Sequence, residues 1–129
     1  MRTASLCAAA ALLLVATPAL ATSTIHCRTG PRGPELWLNI ASDTRTGLFQ
    51  ARIVSGREEI VAGTTRGAPW IARSFVNPRR LSLLVAPGGA RGRLASLTAT
   101  RRGVPYVGVF IWRGRTWRVR CFWDEDDEG

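Results

Sequence analysis

The feature that most restricts the fold of this chain is a period-two alternation of apolar and polar residues that restarts again and again. Leu36, Leu38 and Ile40 alternate with Glu35, Trp37 and Asn39, and Phe49, Ala51 and Ile53 alternate with Gln50 and Arg52. Leu81, Leu83 and Val85 share one face, as do Trp117, Val119, Cys121 and Trp123. Alternation rich in β-branched and aromatic residues belongs to half-buried strands, and no stretch holds a helical period over three turns. Between the alternating runs stand turn formers: Thr29-Gly30-Pro31, Arg45-Thr46-Gly47, Ser55-Gly56, Asn77-Pro78, Pro87-Gly88-Gly89, Arg102-Gly103 and Arg113-Gly114. Nine strands are predicted, at 24–28, 35–41, 47–55, 58–63, 70–76, 80–86, 93–100, 104–112 and 116–123. Short connections favour an all-antiparallel meander.

Cysteines and the N-terminus decide how that meander closes. Arg2 is followed by an uncharged apolar run at 6–16, a break at Thr17-Pro18, and small residues at Ala19 and Ala21. This is the pattern of a cleavable export signal, and the run is shorter than the roughly 20 apolar residues of a spanning helix. The expectation is an exported protein, periplasmic or secreted, that starts at Thr22 and has no transmembrane segment. Cys7 leaves with the signal, so Cys27 and Cys121 remain and are expected to form one disulfide in an oxidising compartment. Bridged cysteines need Cα atoms about 4.4–6.8 Å apart. The first and last strands of an up-and-down barrel are neighbours, whereas an open meander holds them a sheet apart. The predicted fold is therefore a small closed barrel of eight or nine strands, with a two-sheet sandwich as the alternative. The stretch 104–112 is apolar on both faces, so its second side calls for cover from an opposite wall or from a partner.

Charge narrows the partners. All 18 basic residues are arginine. Without Arg2 the charge is +8, and the body without the acidic block 124–128 carries +13. A body so basic favours phosphates, acidic glycans, nucleic acid or an anionic membrane surface. The block Asp124-Glu125-Asp126-Asp127-Glu128 has nothing apolar to bury and lacks the spacing of a calcium loop. It reads as a disordered tail, 124–129, after a leader at 1–21 and a domain at 22–123. Because it follows the last strand, it is expected to compete for Arg118, Arg120 and the arginines of the last hairpin.

Catalytic provision is thin. His26 is the sole histidine and reads as a surface residue of the first strand. A serine triad would have to combine it with Glu35, Asp43, Glu58 or Glu59, and no glycine-flanked nucleophile accompanies it. Glu58 and Glu59 are adjacent and face opposite ways in a strand. No enzyme activity, metal or cofactor is expected. Arginine and tryptophan give the richer signal. Trp112-Arg113-Gly114-Arg115-Thr116-Trp117 is a hairpin tip with two arginines between two tryptophans, and Arg118 and Arg120 continue along the last strand. Arginine interleaved with aromatic rings can hold anionic ligands by charge and stacking. Trp112, Arg113, Arg115, Trp117, Arg118 and Arg120 are the candidate binding residues.

The plan of residues 22–123, with an export signal, short antiparallel strands and a cysteine near each end, resembles small bacterial periplasmic β-barrel proteins. Among these are the membrane-bound and periplasmic inhibitors of C-type lysozyme. The resemblance implies fold and compartment and transfers no site residue. The expected function is non-enzymatic binding of an anionic envelope or extracellular partner. The alternatives are a protein-docking inhibitor and a carrier of a small hydrophobic ligand.

Overall fold

A computed structural model describes residues 22–41, 48–67, 69–88 and 92–124. The leader and the acidic residues after Asp124 lie outside the described residues. The described residues form nine strands: β1 (Thr22–Arg28), β2 (Glu35–Ala41), β3 (Leu48–Ser55), β4 (Glu58–Gly63), β5 (Trp70–Val76), β6 (Arg80–Ala86), β7 (Ala95–Thr100), β8 (Tyr106–Trp112) and β9 (Arg115–Trp123). Each forms where the alternation places it, with ends displaced by no more than two residues.

The strands follow one another around a closed barrel, and β9 pairs back onto β1. One expectation is corrected, because the barrel is mixed instead of wholly antiparallel. With nine strands in strict alternation, the first and last would run parallel at the closure. Here β1 and β9 are antiparallel, in the register Ile25↔Trp123, Cys27↔Cys121, Arg28↔Arg120. Somewhere else two neighbours must therefore run in the same direction. They are β4 and β5, which overlap at the single parallel bridge Gly63↔Trp70. After this jog β5 continues in the direction of β4 and comes beside the start of β3, where the Leu48 N–H donates to Ser74 Oγ at 3.0 Å. Together, β4 and β5 act as one interrupted strand.

Most apolar members of the alternation point inward; Phe49 is the exception, 38% exposed where the β2–β3 register shifts and Leu48 takes the inward place instead. Ile25, Leu36, Leu38, Ile53, Leu81, Val85, Tyr106, Phe110 and Val119 are fully or almost fully buried in one core cluster. Cys27 and Cys121 are opposed register partners with Cα atoms 4.0 Å apart, bonded as a disulfide within this core. Their sequence separation is 94 residues. Constraining so long a loop restricts the unfolded chain, a stabilisation of about 4–5 kcal/mol in the chain-entropy picture. That is comparable to the whole net stability of many small domains.

The expectation that something covers the second side of 104–112 is met on one face only. Tyr106, Phe110 and Trp112 pack inside, whereas Val107, Val109 and Ile111 remain on the outer wall. Gly108, between them, lies so close to β7 that a Cβ would collide with the Thr98 carbonyl oxygen. No described helix is long and apolar enough to cross a membrane. The distribution is also opposite to that of a spanning barrel, whose lipid-facing wall is apolar: here the core is apolar and Arg52, Arg73, Arg118 and Arg120 are exposed in the strands.

Strand direction sorts the loops between two ends. The β1–β2, β3–β4, β6–β7 and β8–β9 connections gather at one end. The β5–β6 and β7–β8 connections lie at the other, together with the start of β1 and the close of β9.

Candidate anion-binding site

At this second end, Asn77-Pro78-Arg79-Arg80 reverses the chain between β5 and β6. Asn77 Oδ1 accepts hydrogen bonds from the Arg79 N–H at 2.8 Å and the Arg80 N–H at 2.7 Å. The Asn77 N–H donates to the Arg80 carbonyl at 2.9 Å. A short polar side chain bonding backbone two and three residues on is the local chemistry that makes asparagine a turn former. The neighbouring β7–β8 connection is tied to this turn in two places. The Arg101 N–H donates to the Arg79 carbonyl at 2.8 Å, and the Tyr106 hydroxyl donates to the Asn77 carbonyl at 2.7 Å. Arg80 also faces Thr100 in the β6–β7 register.

Between these loops opens a cleft of about 750 Å³, lined by Pro78, Arg79, Arg80, Thr100, Arg101, Arg102 and Gly103. Of these seven described residues four are arginine and none is acidic. Arg79, Arg80 and Arg102 are exposed, and Arg101 is half-buried. Aromatic rings support two of the four: the Arg80 guanidinium carbon lies 4.9 Å from the Phe75 ring centroid, and that of Arg101 lies 5.4 Å from the Tyr106 centroid. Arg101 Nε also donates to the Gly103 carbonyl. Hydrogen-bonded loops thus bring four arginines to the lining of one open cleft, which concentrates positive potential. Their planar forks suit phosphate or carboxylate oxygens.

The six residues singled out from the sequence do not form one site. Arg113 and Gly114 make a two-residue hairpin loop with φ of 48° and 82°, the backbone of a primed turn. The Arg113 guanidinium covers Trp112 at 5.0 Å and binds both carboxylate oxygens of Glu58, with Nε 3.2 Å from Oε1. Trp112 itself turns inward and is 6% exposed. Arg115 rests on the half-buried Trp117 ring at 4.4 Å. Arg118 and Arg120 belong to the outer wall of β9 and border a separate groove with Val107 and Phe122. The hairpin arginines are therefore engaged with this chain's own rings and a carboxylate, at the end opposite the cleft.

The described carboxylates before Asp124 are paired elsewhere. Glu35 Oε2 meets His26 Nε2 at 2.8 Å, Glu59 Oε1 meets Arg52 Nε at 2.7 Å, and Glu58 meets Arg113. Glu58 and Glu59 thus take separate partners. His26 lies on the outer wall, stacked on Trp37 with ring centroids 4.8 Å apart. Among the described residues no group of three or more His, Cys, Asp or Glu is placed to hold a metal ion.

The arginine–tryptophan interleaving of the hairpin tip does not extend to Arg79, Arg80, Arg101 and Arg102. One signal in the sequence points to them: between Glu59 and Asp124 stand twelve arginines and no acidic residue. Arginine pairs at both 79–80 and 101–102 flank turns within that acid-free interval. No protein family, curated protein or solved structure matches the chain.

Proposed function

We propose that this protein is a non-enzymatic binding protein for a phosphate-bearing anionic ligand, taken up in the cleft of Arg79, Arg80, Arg101 and Arg102. The observation that carries this reading is the convergence of four arginines, from two hydrogen-bonded loops, on one cleft whose described lining residues include no carboxylate. Folding has already brought these like charges together, so a multiply charged anion relieves repulsion as it forms charge-assisted hydrogen bonds. The packed lumen favours this reading over carriage of a hydrophobic ligand, since fully buried Leu36, Leu38, Ile53, Leu81 and Phe110 occupy the interior. The disulfide and the leader pattern fit a protein that works after export, and this compartment is part of the proposal.

Inorganic tripolyphosphate is a suitable probe. Its affinity should fall steeply with added salt, and Arg79→Gln/Arg102→Gln should weaken it by roughly tenfold or more, the cost of losing charge-assisted bonds. Arg113→Gln/Arg115→Gln should leave it within about twofold, because screening limits the influence of remote exposed charges. Equal losses from the two pairs would reduce the site to diffuse charge. A larger loss from the hairpin pair would move the site to the other end.

A further inference from the structure

We propose that the outer wall of β8 and β9 is a docking surface for an anionic phospholipid bilayer, independent of the cleft. Val107, Val109 and Ile111 stand in line on the outer face of β8 and remain 53%, 42% and 37% exposed. Their register partners on β9 are Arg120, Arg118 and Thr116. On the β7 side the partners are Thr100, Thr98 and Ser96. The wall is thus a stripe of aliphatic side chains, running roughly 13 Å at the rise of a β-strand, with hydroxyls along one border and arginines along the other. Beside it lies a groove of about 480 Å³, bordered by Val107, Arg118, Arg120 and Phe122 among others.

This pattern selects its occupant. The stripe needs apolar cover, and the adjoining arginines need anionic oxygens at nearly the same depth. The interfacial layer of an acidic bilayer supplies both: aliphatic side chains enter below the phosphates, while long cationic side chains reach back to them. A second copy of the chain would cover the stripe, but it would bring two sets of Arg118 and Arg120 together. The nearest carboxylates in sequence, Glu59 and Asp124, lie outside the whole interval that builds β5 to β9. With an apolar core and exposed arginines such as Arg52 and Arg73 elsewhere in its strands, the barrel lies on such a membrane and does not span it.

Sedimentation with lipid vesicles at physiological salt tests the proposal. The disulfide-bonded protein should bind vesicles of equimolar phosphatidylcholine and phosphatidylglycerol and ignore phosphatidylcholine alone. Arg118→Gln/Arg120→Gln should weaken binding by about tenfold. Val109→Thr/Ile111→Thr, which keeps charge and β-branching, should weaken it several-fold, and Arg79→Gln/Arg102→Gln should leave it unchanged. Failure to bind acidic vesicles would overturn the proposal. So would binding that ignores the threonine pair, which would be adsorption by charge alone, or a loss confined to the cleft pair. A concentration-dependent dimer abolished by the threonine pair would assign the wall to a second copy instead.

Discussion

Among the described residues the guanidinium carbons of seven arginines lie over aromatic rings: Arg52 on Trp37, Arg66 on Trp70, Arg80 on Phe75, Arg101 on Tyr106, Arg113 on Trp112, Arg115 on Trp117 and Arg120 on Phe122. Such stacking accounts for the arginine–tryptophan interleaving at the last hairpin without any ligand. The sequence shows that Arg113 and Arg115 sit between Trp112 and Trp117, but not that the rings are already covered or that Glu58, 55 residues away, holds Arg113. Trp117 Nε1 is buried without a hydrogen-bond partner among the described residues. The residue on which the local geometry depends most sharply is Gly108. Its alternation position is an ordinary inward one, and nothing in the linear pattern marks it as a point of close strand approach. Because a Cβ there would collide with the Thr98 carbonyl oxygen and crowd the Ala99 Cα, Gly108→Ala should destabilise the barrel by about 1–3 kcal/mol, the range for overpacking. Gly63→Ala, where an added Cβ meets nothing within 4 Å, should change stability by less than about 0.5 kcal/mol. Denaturant midpoints of the two variants check this, and equal midpoints would contradict the close approach.

At the scale of elements, the strands themselves are legible, while their directions are only partly so. Alternation and turn residues locate all nine because both are local properties. The parallel overlap of β4 and β5 is not local: 64–69 looks like any other hairpin connection, and only closure of an odd number of strands requires a pair to run the same way. Strand direction also bears on the acidic tail, whose residues after Asp124 lie outside the described residues. β9 starts at the hairpin tip and ends beside the β7–β8 connection, since Tyr106 pairs with Cys121. Its nine residues separate the tip from Asp124 by roughly 27 Å at strand rise. The chain therefore leaves β9 close to Arg101 and Arg102, not to Arg113 and Arg115. A short tether keeps a weak competitor at an effective concentration of order millimolar. Deleting 125–129 should thus tighten tripolyphosphate binding about two- to tenfold at low salt, and the gain should fade above physiological salt. An unchanged affinity at low salt would show that the tail does not compete at the cleft.

The whole molecule is a disulfide-closed barrel whose charge is segregated along its own sequence. Glu35, Glu58 and Glu59 are confined to β2 and β4, where each has a partner, whereas β5 to β9 and their connections contain arginine and no acid. The cysteine pair made closure readable in advance, because a bridge between first and last strands leaves few topologies. The cleft was harder to read. It is built from two turns more than twenty residues apart, Asn77 to Arg80 and Thr100 to Gly103, joined by hydrogen bonds that no linear motif announces. Whether this cleft is where the anion binds can be read from nuclear magnetic resonance of arginine Nε–H groups during tripolyphosphate titration. Resonances of Arg79, Arg80, Arg101 and Arg102 should move together and saturate, while those of Arg113 and Arg115 should hardly shift. Uniform, unsaturating shifts across all arginines, or the largest shifts at Arg113 and Arg115, would contradict binding in the cleft.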